Sequence, residues 1–144
     1  MLFEFKTIGV TLKKSALLFD LDGTIADTSV GFVKSIKHAF AVYGLDCPDD
    51  DFFIERISNG SIGIINELCG DQYTKEEKTA IRTEFLNYYQ PISALNVEPY
   101  GEIVSTMHQL NDAKMPLAIV TNKPEKLALP IIEAIGLNNI FKVI

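Results

Sequence analysis

The chain has 144 residues, 47% of them hydrophobic, and a formal net charge of −6, with a pI near 4.8. That length suits one domain, or a core with a small appended one. The acidic balance argues against nucleic acid or anionic membrane as partners, since both need basic surface.

The predicted elements begin with residues 1–14, where the alternating stretch Phe3 to Val10 reads as an extra edge strand or a mobile arm. The start Met1-Leu-Phe-Glu-Phe-Lys lacks a signal-peptide layout, and no apolar run reaches membrane-spanning length. Residues 15–21 read as a buried parallel strand, apolar on both faces. After Thr28 the period becomes helical: Phe32, Val33, Ile36, Ala39, Phe40 and Tyr43 form one stripe, with Lys34 and Lys37 opposite. Gly44 marks the stop. Cys47 and Cys69 have no CxxC or metal-ligand spacing and read as reduced, mostly buried thiols of a cytoplasmic protein.

Pro48-Asp-Asp-Asp51 reads as a helix start with negative charge at the favourable end of the dipole. A short helix follows Ser58-Asn59-Gly60-Ser61, and Thr74 with Glu77 matches a capping box for a longer one. Pro99 and Gly101 mark a return to the core, then come a helix over 100–112 and a strand over 116–121. Pro124 suits the first turn of the next helix and Gly136 its end. Pro130, between them, predicts a kink or a late start. Residues 141–144 begin a third strand. The expected fold class is α/β, a Rossmann-like parallel sheet core with an inserted all-helical block.

The densest signal is Leu17-Leu-Phe-Asp20-Leu-Asp22-Gly23-Thr24-Ile-Ala-Asp27-Thr28. Side chains at i and i+2 of a strand share a face, so Asp20 and Asp22 share one small volume at its end. Two close carboxylates call for a divalent cation, or for one to stay protonated. A metal with a proton-shuttling carboxyl is what phosphate ester chemistry needs. A bare Asp-x-Asp-Gly is more often a solvated turn.

These residues, together with Pro116-Leu-Ala-Ile-Val-Thr121-Asn122-Lys123-Pro124, resemble the first and second motifs of the haloacid dehalogenase superfamily, in the form usual for phosphoglycolate phosphatase-like members. The resemblance covers nearly all of the chain from Ser15 onward. It implies core residues 1–28 and 99–144, with a helical cap over 29–98 that closes on the site. Asp20 would be the nucleophile that forms an aspartyl-phosphate, and Asp22 the general acid and base. The Asp20 carboxylate and the Asp22 main-chain carbonyl would hold Mg²⁺, the family's usual metal.

Phosphate would be bound at the turn of Leu21 and Gly23, where the glycine lets the backbone N–H groups of Leu21 and Asp22 reach phosphate oxygens, and by the Thr121 hydroxyl and Asn122 N–H. Thr24 and Asp27 read as structural. Lys123 reads as exposed, His38 and Arg56 as unpaired surface residues, and Tyr88 and Tyr89 as an aromatic core stripe. Ser58–Ser61 reads equally as a plain loop or as one that selects substrate.

The superfamily's later lysine and acidic pair have no counterpart before Ile144. The core is therefore expected to be cut short on its C-terminal side, with an exposed sheet edge that invites self-association and with weak activity or none. The expected partner is a small phosphorylated metabolite such as phosphoglycolate. The stretch from Ile57 to Ile62 and the Thr121 motif also look similar to N-acetylmuramate 6-phosphate phosphatases. A phosphomutase of the same superfamily and a non-catalytic module that binds a phospho-ligand or a partner are the alternatives. A phosphorylatable receiver domain ranks far below, since it needs neither Asp22-Gly23-Thr24 nor a helical insert.

Overall fold

The computed structural model of the chain describes residues 16–144; Ser15 and the alternating stretch near the start lie outside them. Strand β1 (Leu17–Phe19) pairs in parallel with β4 (Leu117–Ile119), with Leu17 opposite Leu117 and Phe19 opposite Ile119. Leu117 and Ile119 turn inward onto Met107 of helix α5 (Ile103–Asp112) and onto Ala128, Ile131 and Ile132 of helix α6 (Glu125–Ala134). The fold is α/β with parallel pairing in its core, as expected.

The first strand is shorter and less enclosed than its composition predicts. Leu18 is 65% exposed, because β1 and β4 make a two-stranded sheet among the described residues and the helices cover only one of its faces. Residues 141–144 run beside β4 without forming a regular strand. The Lys142 N–H donates to the Leu117 carbonyl at 2.8 Å, and the Ile119 N–H donates to that of Val143 at 3.0 Å.

Between the two halves of the core lies an all-helical block. Its ends are joined by an antiparallel ribbon of β2 (Ala26–Asp27) and β3 (Glu98–Pro99), which two-residue strands leave without a readable period. Helix α1 (Ser29–Val42) packs against α4 (Lys75–Tyr89). Spacings of three and four bring Phe32, Val33, Ile36, Ala39 and Phe40 onto Ile81, Phe85 and Tyr89, all buried. Each fully buried side chain of this size contributes roughly 1.5–3 kcal/mol. Phe32 and Phe85 have ring centroids 5.0 Å apart.

Tyr43, expected in the stripe, is exposed, because the helix has ended and Gly44 turns the chain at φ +63°. Cys69, at the end of α3 (Gly60–Cys69), is buried, but Cys47 is exposed, since it sits in the connection before α2 (Asp50–Ile54) rather than on a packed face.

Local start signals are realised. The Asp49 side chain accepts from the Phe52 N–H at 3.1 Å. Thr74 and Glu77 exchange both capping-box bonds, with the Thr74 N–H donating to Glu77 at 2.8 Å and the Glu77 N–H to the Thr74 hydroxyl at 3.2 Å. Helix α6 begins on time after Pro124 and carries Pro130 internally, which leaves the Lys126 carbonyl without its usual intrahelical donor. No helix among the described residues is long and apolar enough to cross a membrane.

Candidate active site

The site forms where β1 ends. Leu21 is fully buried and anchors the turn: its carbonyl accepts the N–H groups of Ile25 and Ala26, each at 3.1 Å. Gly23 adopts φ +78°, a conformation that favours glycine. A Cβ there would meet nothing within 4 Å, so backbone strain alone would oppose a side chain. This tight turn leaves Asp20 exposed, with its Oδ1 accepting the Leu21 N–H at 2.7 Å.

Asp22 lies deeper, its side chain 13% exposed. Its Oδ1 accepts the Thr28 hydroxyl and sits 3.1 Å from the Lys123 ammonium. Asp27 accepts the Ser29 N–H at 2.8 Å, the local structural bond expected of it.

Lys123 differs from expectation: its side chain is only 6% exposed. Beyond β4 the Thr121 hydroxyl oxygen accepts the Lys123 N–H at 3.1 Å. Pro124 then caps α6, and the lysine turns back into the molecule. There its ammonium donates to the Tyr89 hydroxyl at 2.9 Å. Tyr89 is both core and cavity wall. Burial raises the pKa of its phenol above the ordinary range, with the Lys123 charge acting the other way.

These groups open onto one cavity of about 390 Å³. Asp20, Asp22, Thr121, Asn122 and Lys123 line it from the core, while Ser58, Asn59, Ser61 and Arg82 line it from the helical block. Leu21 and Gly23 do not line it. The Gly23 N–H already donates to the Ala26 carbonyl at 3.0 Å, so this glycine serves the turn rather than offering a phosphate donor. The Ser58–Ser61 stretch, read equally as plain loop, lies on the cavity wall.

His38 and Arg56 are outside the cavity but do not stand alone. His38 is 2.9 Å from Glu84 and stacks on Tyr88. Arg56 bonds Glu67 at 3.0 Å and lies over the Phe52 ring.

Thr28 and Arg82 were not singled out from sequence. The available signal for Arg82 was its place between Ile81 and Phe85 on a helix whose apolar face is packed. Its Nε is buried without a hydrogen-bond partner among the described residues.

Asp20 and Asp22 supply hard oxygen donors, and no group of three or more His, Cys, Asp or Glu that could hold a metal occurs among the described residues. Such a set fits an ion that keeps waters and takes further oxygens from a bound phosphate, as Mg²⁺ does. It does not fit an ion caged by protein alone.

The family model for haloacid dehalogenase-like hydrolases matches residues 17–144. The chain belongs to that family. Among curated proteins, this hydrolase-family chain is 32% identical to a phosphoglycolate phosphatase of Agrobacterium fabrum, over 88% of its own length and 56% of the relative's. It is 30% identical to an N-acetylmuramic acid 6-phosphate phosphatase of Pseudomonas aeruginosa, over 87% and 55%. It therefore spans a little over half the length of these relatives.

A solved structure described as a predicted phosphoglycolate phosphatase from Haemophilus somnus is similar at TM-score 0.78 and 25% identity, covering 93% of this chain and 63% of that one. A predicted phosphatase from Clostridium acetobutylicum shares the fold at TM-score 0.81 and 22% identity, over 90% and 59%.

Proposed function

We propose that the chain carries the site of a Mg²⁺-dependent phosphatase for a small phosphorylated metabolite, working through an aspartyl-phosphate. The supporting observation is that Asp20, Asp22, Thr121 and Asn122, from two separate strand ends, line one cavity beside a buried lysine.

The Leu21 N–H holds Asp20 Oδ1 and leaves Oδ2 to attack phosphorus. A bond forms between Oδ2 and phosphorus, the ester P–O bond breaks, and the leaving oxygen takes a proton from Asp22. Water then attacks the phosphoryl group on Asp20, Asp22 takes that water's proton, and phosphate leaves with the carboxylate regenerated. Thr28 and Lys123 fix the Asp22 carboxyl in place for both transfers. The Thr121 oxygen accepts from the Lys123 backbone, so its own proton is free for a phosphate oxygen. The Asp20 carboxylate and the Asp22 main-chain carbonyl would hold Mg²⁺, which would neutralise phosphoryl charge when bound.

Residues 29–98 act in this reading as a cap domain over core residues 1–28 and 99–144, in a cytoplasmic enzyme. Phosphoglycolate and N-acetylmuramate 6-phosphate, named for the relatives above, are the first substrates to try, and both are phosphate esters that also carry a carboxylate.

The test is Mg²⁺-dependent phosphate release from both esters, with acid-quenched intact-mass detection of a phosphoryl adduct, in the wild type and in Asp20→Asn. The adduct gives a readout even where turnover is slow. Release or adduct that drops to background in Asp20→Asn is the expected result. Equal signals in the two proteins would overturn the assignment.

A further inference from the structure

Among the described residues, two cationic side chains line the cavity, Lys123 and Arg82. Lys123 is engaged by Asp22 and Tyr89. Arg82, on the helical wall, has a buried Nε with no hydrogen-bond partner among the described residues. A buried donor left unpaired is costly, and a guanidinium presents its donors as a planar fork that matches a carboxylate in two parallel bonds. The rest of that wall, Ser58, Asn59 and Ser61, offers neutral polar groups. One positive charge on this wall balances a singly charged carboxylate better than a second, doubly charged phosphate.

We infer that Arg82 is the specificity-determining residue of a carboxylate subsite on the helical wall, so that the preferred ligands are phosphate esters of small hydroxy acids. The phosphate end lies toward Asp20 and Thr121, and the acid end toward Arg82. This inference rests on the phosphatase reading for the placement of the phosphate, but it concerns binding and does not need turnover.

The experiment is calorimetric titration of the 144-residue chain in Mg²⁺ buffer with phosphoglycolate and with hydroxyethyl phosphate, which replaces the carboxylate by a neutral group. Wild type is expected to prefer phosphoglycolate by about tenfold or more, the scale of one charge-assisted fork. Arg82→Gln should reduce that preference to about twofold. Arg82→Lys, which keeps the charge and loses the fork, should fall between. Each preference is a ratio within one protein, so a general loss of stability does not imitate the result. If the glutamine variant fails to fold, the lysine variant decides.

An unchanged preference in the variants, no preference in wild type, or no binding of either ester would overturn the subsite. Arg82-dependent preference without release or adduct would keep the subsite and overturn the phosphatase reading. Release without that preference would do the reverse.

Discussion

Lys123 shows how far one residue's surroundings can depart from its local sequence. Directly after Thr121-Asn122, it has the context of a solvated turn, yet it lies against Asp22 and Tyr89, both far upstream in the chain. Removing its charge leaves Asp22 poorly solvated beside no cation, which is the expensive way to break an ion pair. Lys123→Met is expected to lose roughly 2–3 kcal/mol in urea unfolding, below the usual range for buried pairs because Asp22 keeps some solvent. The double variant with Asp22→Asn should recover part of that loss. Asp20 and Asp22 were legible because their relation is local, two positions apart just beyond the end of β1. Arg82 and Thr28 were not, since their neighbours are set by how α4 and the turn meet the core.

At the scale of elements, the same division holds. The capping box of α4 lies within four consecutive residues and was readable as such, and Thr74→Ala is expected to cost about 1 kcal/mol. Its pH dependence has a definite sign. Bonds from the Thr74 backbone and then from its hydroxyl hold the Glu77 pKa below the ordinary carboxylate range. That stabilisation is therefore present above the ordinary range and is lost as pH falls through Glu77's lowered value. The gap in urea midpoint between wild type and Thr74→Ala should be wider at neutral pH than at about pH 3. Strand ends were less readable. Residues 15–21 and 116–121 look like longer strands, but pairing stops at Phe19 and Ile119, where the chain turns away to build the site.

At the scale of the molecule, the buried side chains among the described residues form two clusters, one inside the helical block and one around the parallel pair. Leu127, on a core helix, belongs to the first. Leu127→Ala is expected to cost about 2–5 kcal/mol and to separate the unfolding curves followed by Tyr fluorescence and by far-ultraviolet dichroism, which should coincide in the wild type. The alternation of strand and helix was enough to read the α/β class, whereas the β2–β3 ribbon was invisible to any period. That ribbon has a wider consequence. Because Ala26 and Asp27 lie beside Pro99 and Glu98, everything between leaves and rejoins the core at a single point. Closing a loop already held at its neck depends only logarithmically on how many residues it contains. Evolution can lengthen, shorten or exchange that excursion, and with it the wall that meets the ligand, while the strands that carry Asp20 and Thr121 stay in register.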